Sequence, residues 1–257
     1  MFPLKFNDTG ARVFLLQECL AFRGLLNGID GCFGSGTEES VKQFQGFIHL
    51  EVDGIVGKQT WARLIEGRYP RPTSLPLDKS QIDFIFNNEI TAEDLTLLNG
   101  AMELFDISTS ARIRHFLAQL AHESGGLVYF EEIADGSDYE RNDDPDDTWA
   151  DLGNTEEGDG RRFKGVDSIC TTGRKNYQKL ADHLGDQRVM EGYSYVIKNV
   201  PRFLPSGFWW HDNDMNTLVD TGATCREIST KVNGADPANG LAEREEYYDL
   251  AGEVIFE

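Results

Sequence analysis

The sequence predicts a mainly α-helical protein in two modules. A small three-helix domain occupies residues 1–67, a linker residues 68–79 and a larger helical domain residues 80–257. Three observations predict this. The N-terminal stretch repeats a turn-then-helix pattern, and a proline-rich segment follows it. From Ser80 onward, apolar residues recur at helical spacing, with no long alternating run that demands a sheet.

Taken in order, Val13, Leu16, Gln17 and Leu20 share one helical face, with Asp8 or Thr9 placed to cap it. Asp30-Gly31-Cys32-Phe33-Gly34-Ser35-Gly36-Thr37 then recurs as Asp53-Gly54-Ile55-Val56-Gly57-Lys58-Gln59-Thr60. Each copy reads as a tight Asp-Gly turn, a second glycine and a threonine positioned to cap a helix, so these aspartates and glycines shape turns. Val41, Phe44 and Gln45 follow the first copy; Trp61, Leu64 and Ile65 follow the second. Pro70, Pro72 and Pro76 disfavour helix and stiffen the connection to the second module. That module opens with Ile82, Ile85 and Phe86, continues through Asp94 to Phe105, and then runs from Ser110 to His122. In this last stretch Ile113, Phe116, Leu117, Leu120 and Ala121 repeat at i, i+3, i+4, i+7 and i+8, which defines one buried helical face.

With 257 residues and 40% hydrophobic content, the chain is long enough to bury an ample core. No apolar run approaches the roughly 18 residues of a membrane span, so no membrane insertion is expected. Residues Met1 to Asp8 lack a basic segment leading into an apolar stretch, so no secretory signal is expected. Cys19, Cys32, Cys170 and Cys225 have no metal-type spacing, and reduced thiols are the expectation. A net charge of −20 argues against nucleic acid or an anionic membrane as partner. Much of that charge sits between Asp135 and Asp159, which hold eleven acidic residues against Arg141 alone. Asn142 to Asp147 reads as a solvated loop, since it lacks the ordered oxygen spacing and glycine of an EF-hand.

The chemistry concentrates in Ala121-His122-Glu123-Ser124-Gly125-Gly126, with Glu132 nine positions after Glu123. Glu123 ends an apolar helix that Gly125-Gly126 stops, where the negative end of the helix dipole favours the neutral carboxyl. The short extended stretch from Leu127 to Phe130 carries Glu132 toward an opposite wall. Two acids separated by a turn suit glycoside hydrolysis, in which one donates a proton to the leaving oxygen and the other activates water. His122 reads as a supporting or core histidine, because the two glutamates fill both proton roles. His122-Glu123 does not extend to the HExxH pattern of zinc peptidases.

Two resemblances follow from these residues. The doubled pattern, with Val41, Phe44, Gln45 and Trp61, resembles the peptidoglycan-binding domain common in cell-wall hydrolases. Residues 80–257 resemble family 19 glycoside hydrolases, the chitinase-like, lysozyme-fold group that phage endolysins use as their catalytic domain. That resemblance rests on the Glu123 and Glu132 segment together with Asp151-Leu-Gly-Asn154-Thr, Gly158-Asp-Gly, Arg162-Phe-Lys-Gly165, Thr172-Gly-Arg174-x-Asn176-Tyr177, Phe208-Trp209-Trp210, Lys231-Val-Asn233-Gly and Asn239-Gly-Leu-Ala-Glu-Arg244.

The resemblance implies Glu123 as general acid, Glu132 as the base that activates water, and Thr172 as a hydroxyl holding that water. It implies Asn176 and Asn233 as sugar contacts, with Arg244 supporting the catalytic carboxylates and favouring ionisation of the base. His122 would stand beside this substrate-binding set. The family inverts, which implies carboxyl groups roughly 6.5–9.5 Å apart, no cofactor and no metal. The implied activity is muramidase or lysozyme cleavage of the β-1,4 glycan of bacterial peptidoglycan. It would come from a monomeric, phage-type antimicrobial lysin held in the host cytoplasm until its release for host cell lysis. Chitin is the alternative substrate.

One segment departs from the family. Where members carry Arg-Gly-x-Ile-Gln-Leu-Thr-Gly, this chain has Val166-Asp167-Ser168-Ile169-Cys170-Thr171-Thr172-Gly173. The change replaces a sugar-contacting Gln with Cys170 and makes a catalytically weakened wall-binding protein a third possibility.

Overall fold

The computed structural model describes residues 3–65, 76–140, 152–169 and 171–255. Three helices build the first module: α1 (Ala11–Phe22), α2 (Ser35–Phe47) and α3 (Lys58–Ile65). The expected caps differ from those observed. Helix α1 starts after Gly10, which has a left-handed backbone, while the Asp8 carboxylate accepts the Lys5 N–H at 2.8 Å. Thr37 and Thr60 lie inside the first turns of α2 and α3 rather than at their caps.

Two buried glutamines explain the repeat. The Gln17 side-chain amide donates to Asp30 Oδ1 (2.8 Å), the Cys32 carbonyl (3.0 Å) and Thr37 Oγ1 (3.0 Å), while its oxygen accepts the Asp30 and Gly31 N–H groups. Gln45 does the same one repeat later, donating to Asp53 Oδ1, the Ile55 carbonyl and Thr60 Oγ1 and accepting the Gly54 N–H. Each glutamine satisfies a tight turn that a helix alone could not. Replacing Gln17 or Gln45 by leucine leaves these buried groups unpaired. The expected cost is roughly 2–3 kcal/mol, read as a lower unfolding midpoint.

The larger module opens with a capped helix. Helix α4 (Lys79–Phe86) is capped by Asp78, whose carboxylate and Gln81 form a reciprocal capping box. The expected linker therefore ends in structure at residues 77–79, and residues 66–75 lie outside those described. Helices α5 (Ala92–Leu104) and α6 (Ser110–Glu123) follow, capped by Thr91 and Thr109. Beyond them come α7 (Asp159–Arg162), α8 (Arg174–Leu184), α9 (Tyr193–Asn199), α10 (Leu204–Asp212), α11 (Met215–Asp220), α12 (Cys225–Asn233) and α13 (Leu241–Val254). Among the described residues the β content is limited to isolated antiparallel bridges, two of which tie Val166 to Glu131 and to Thr171.

Helix α6 is the axis of the module. Ile113, Phe116, Leu117, Leu120 and Ala121 are all buried, and α4, α11, α12 and α13 pack around them. His115 is buried on the same helix, its ring 4.3 Å from that of Tyr248 on α13, and its Nδ1 makes no hydrogen bond. Burial pushes its pKa down to about 4 from 6.5, with Arg114 acting in the same direction. A folded-state value below the unfolded one means that stability is complete above the unfolded pKa and drains away as pH falls toward the folded one. His115→Phe should therefore abolish a loss of about 2 kcal/mol in stability between pH 7.5 and 5, measured as a flatter dependence of Tm on pH.

The two modules share a packed boundary. The buried Arg12 guanidinium donates to the carbonyls of Phe84 (3.1 Å) and Ile85 (3.3 Å), which places a cation at the C-terminal end of α4. The Trp61 ring meets Phe84 edge-on at 5.0 Å. The three-helix module is thus docked on the larger helical domain.

Candidate active site

Helix α6 stops where the sequence places its stop. Gly125 and Gly126 adopt left-handed backbone, the Gly126 N–H returns to the Ala121 carbonyl at 2.8 Å, and a Cβ at Gly126 would press on the Phe86 carbonyl. The buried Ser124 hydroxyl donates to the Leu120 carbonyl and accepts the Leu127 N–H, which starts the chain back toward Glu132. Glu123 is therefore held at a fixed helix end.

Glu132 is fixed by backbone. Its N–H donates to the Gly165 carbonyl (2.9 Å), and its Oε2 accepts the Gly165 N–H (2.9 Å). Lys164 Nζ donates to the Glu132 carbonyl at 3.0 Å and lies 3.5 Å from Glu131. Glu123 and Glu132 line one cavity of about 330 Å³ together with Tyr129, Glu131 and Asp167.

Arg244 lies behind Glu123. Fully buried, its guanidinium donates to Glu123 Oε1 (2.5 Å), Gln119 Oε1 (2.5 Å) and the Asn239 carbonyl (3.1 Å). Its full burial makes it a positioning residue rather than a sugar contact. Chemically, the cation stabilises the carboxylate that Glu123 becomes on giving up a proton.

The other expected site residues have hydrogen-bond partners of their own. His122 Nδ1 pairs with Glu243 Oε2 at 2.7 Å, and its ring packs against Gly240, where a Cβ would collide with it. Asn176 donates to the Thr172 carbonyl at 2.8 Å, and Asn233 accepts the Asn239 N–H at 3.0 Å. Thr172, Asn176 and Asn233 are absent from the described lining of the cavity that holds the two glutamates. Two of the motifs are structural. Asp159, buried, accepts the Thr155 and Glu156 N–H groups and pairs with both nitrogens of the Arg174 fork, and Asn154 accepts the Arg174 N–H.

The departing segment also acquires a structural account. Val166 is buried and bridges Thr171, while Asp167 takes a left-handed backbone that its aspartate side chain tolerates. The Asp167 carboxylate accepts the N–H groups of Phe203 and Ser206 and the Ser206 hydroxyl, anchoring the start of α10. Burial holds its carboxyl above the usual carboxylate range, and these hydrogen bonds oppose that shift. Cys170 lies outside the described residues. Sequence reading gave Lys164 and Gln119 no role. Both act through partners far along the chain, which local spacing does not reveal.

Comparison with known proteins places both halves. Residues 9–64 match the family model described as "Putative peptidoglycan binding domain". The chain is 40% identical over 58 residues to a spore cortex-lytic enzyme of Oceanobacillus iheyensis, covering 22% of this chain and 21% of that protein. It is 42% identical over 62 residues to an uncharacterised protein in the bpoA1 3' region of Kitasatospora aureofaciens, covering 23% of this chain and 51% of that one. The chain thus spans about a fifth and about half of these relatives' lengths.

The larger half has the fold of family 19 chitinases. Chitinase C of Streptomyces griseus superposes with a TM-score of 0.52 at 19% identity, over 68% of this chain and 92% of that one. The family 19, class IV chitinase of Zea mays superposes with a TM-score of 0.52 at 16% identity, over 69% and 92%. The molecule is modular, a peptidoglycan-binding domain followed by a helical domain of chitinase fold.

Proposed function

We propose that the chain is an endolysin-like cell-wall hydrolase that cleaves the β-1,4 glycan of bacterial peptidoglycan. The observation that carries this reading is the convergence of Glu123 and Glu132 on one cavity, in a chain whose residues 9–64 match a putative peptidoglycan-binding domain. Glu123 gives its proton to the glycosidic oxygen as the C–O bond breaks, and Arg244 stabilises the carboxylate left behind. Glu132, held by Gly165, takes a proton from water as that water attacks the anomeric carbon from the opposite face, which inverts the configuration. In the wider reading, this is a phage lysin acting from the host cytoplasm at the end of infection.

Charge distribution supports the same assignment. Residues 1–65 carry six Lys and Arg against seven Asp and Glu, so nearly all of the −20 belongs to the rest of the chain. The module that meets the anionic wall is therefore almost neutral.

The chitinase fold supports chitin as a second reading. Initial rates on purified peptidoglycan and on chitin oligosaccharides decide between the two. At least tenfold faster release of reducing ends from peptidoglycan is expected. Faster turnover of chitin would transfer the assignment to that polymer, and wall binding with no release from either would leave a binding protein.

A further inference from the structure

A second cavity, of about 500 Å³, continues from the glutamate site and shares Tyr129, Glu131, Glu132, Ile133 and Asp167 with it. Much of its lining is aliphatic, with Val196, Ile197, Val200 and Pro201 around α9 joined by Val128 and Ile133. Val128, Tyr129, Ile133 and Ile197 are among the large apolar side chains left exposed, with Ile133 at 81%. Four such residues gathered at one groove mark a binding surface. Two cations border it. Lys164 is 3.5 Å from Glu131, and Arg202 lies over the Phe130 ring at 4.4 Å while pairing with Asp94 at 3.0 Å.

Aliphatic walls suit a sugar chain poorly, since sugars bind through hydroxyl hydrogen bonds and aromatic stacking. They suit methyl groups. A peptide that carries alanine methyls matches the aliphatic wall, in a groove that shares five residues with the cavity of the two glutamates. In peptidoglycan such a peptide branches from the lactyl ether of every second sugar and so leaves the glycan beside the bond being cut. Chitin has no such branch.

We propose that this groove binds the alanine-containing peptide branch of peptidoglycan, and that it makes the candidate active site selective for peptide-bearing glycan. The inference rests on the glycan-cleaving assignment for the placement of the sugar chain, but its test is separate. Ile197→Glu on α9 and Val128→Glu after α6 each place a carboxylate at a half-exposed position lining the groove. The full chain carrying Glu123→Gln, with and without each change, is titrated with a purified disaccharide-peptide and with the same disaccharide stripped of its peptide.

The expected result is that the parent binds the peptide-bearing ligand at least tenfold more tightly. Either groove variant should abolish that advantage and keep the affinity for the stripped disaccharide. Equal affinity of the parent for both ligands overturns the proposal, as does a loss in the variants that is the same for both ligands. Reducing-end release by the wild-type chain, measured in parallel, reports on glycan cleavage alone. A chain that binds the peptide branch but releases nothing would keep the groove and remove the glycosidase.

Discussion

Glu123→Gln and Glu132→Gln are each expected to lower glycan cleavage by roughly a hundred- to ten-thousandfold while leaving the fold in place, the range set by a general acid or base. Both substitutions keep the local geometry. A glutamine at 123 still offers an oxygen to the Arg244 fork, and one at 132 still accepts the Gly165 N–H. What each loses is the ability to carry a proton. The two variants should retain the wild-type unfolding temperature and wall binding, because the peptidoglycan-binding module docks through Arg12 and Trp61, on α1 and α3. A loss below tenfold in either would remove that residue from the proposed mechanism.

Arg244→Met should produce the largest loss of stability. The guanidinium is fully buried and joins α13 to Gln119 and Glu123 of α6 and to the Asn239 carbonyl. Removing one partner of a buried charged network strands the others, at about 3–5 kcal/mol. For a domain of this size that corresponds to a Tm lower by about 10 °C. Lysine should not rescue it, since a point charge cannot serve three acceptors arranged for a planar fork. A Tm within 2 °C of wild type, an on-the-order threshold well below that shift, would mean that the network contributes little. Activity should fall further than stability explains at temperatures where the variant is folded, because Glu123 then lacks the hydrogen bond that positions its carboxyl group.

Much of this was legible in the sequence because it is local. The Asp-Gly turns of 30–31 and 53–54, the 3–4 spacing of Ile113 to Ala121 and the Gly125-Gly126 stop are each set by residues within one turn or one helix, so pattern alone located the three-helix module and the end of α6. The caps of the first module were misread because Gly10 took the position offered to Asp8 or Thr9, and because the hydroxyls of Thr37 and Thr60 were claimed by Gln17 and Gln45. Those glutamines lie 20 and 15 residues from their threonines, beyond the reach of a capping rule. The same distance problem governs the site. Glu123 and Arg244 are 121 residues apart, and which glutamate the arginine serves is decided by how α13 crosses α6. Asp167 read as a bare departure from a motif, because the N–H groups it satisfies at the start of α10 are 36 and 39 residues away.

The central claim is tested most directly by mass spectrometry of the fragments released from purified peptidoglycan by the wild-type chain and by Glu123→Gln. New reducing-end sugars carrying intact peptide branches, released by wild type and absent with the variant, are the predicted result, and the sugar at the reducing end names the bond. Fragments cut within the peptide or at the sugar–peptide amide, or identical release by both proteins, would contradict the account.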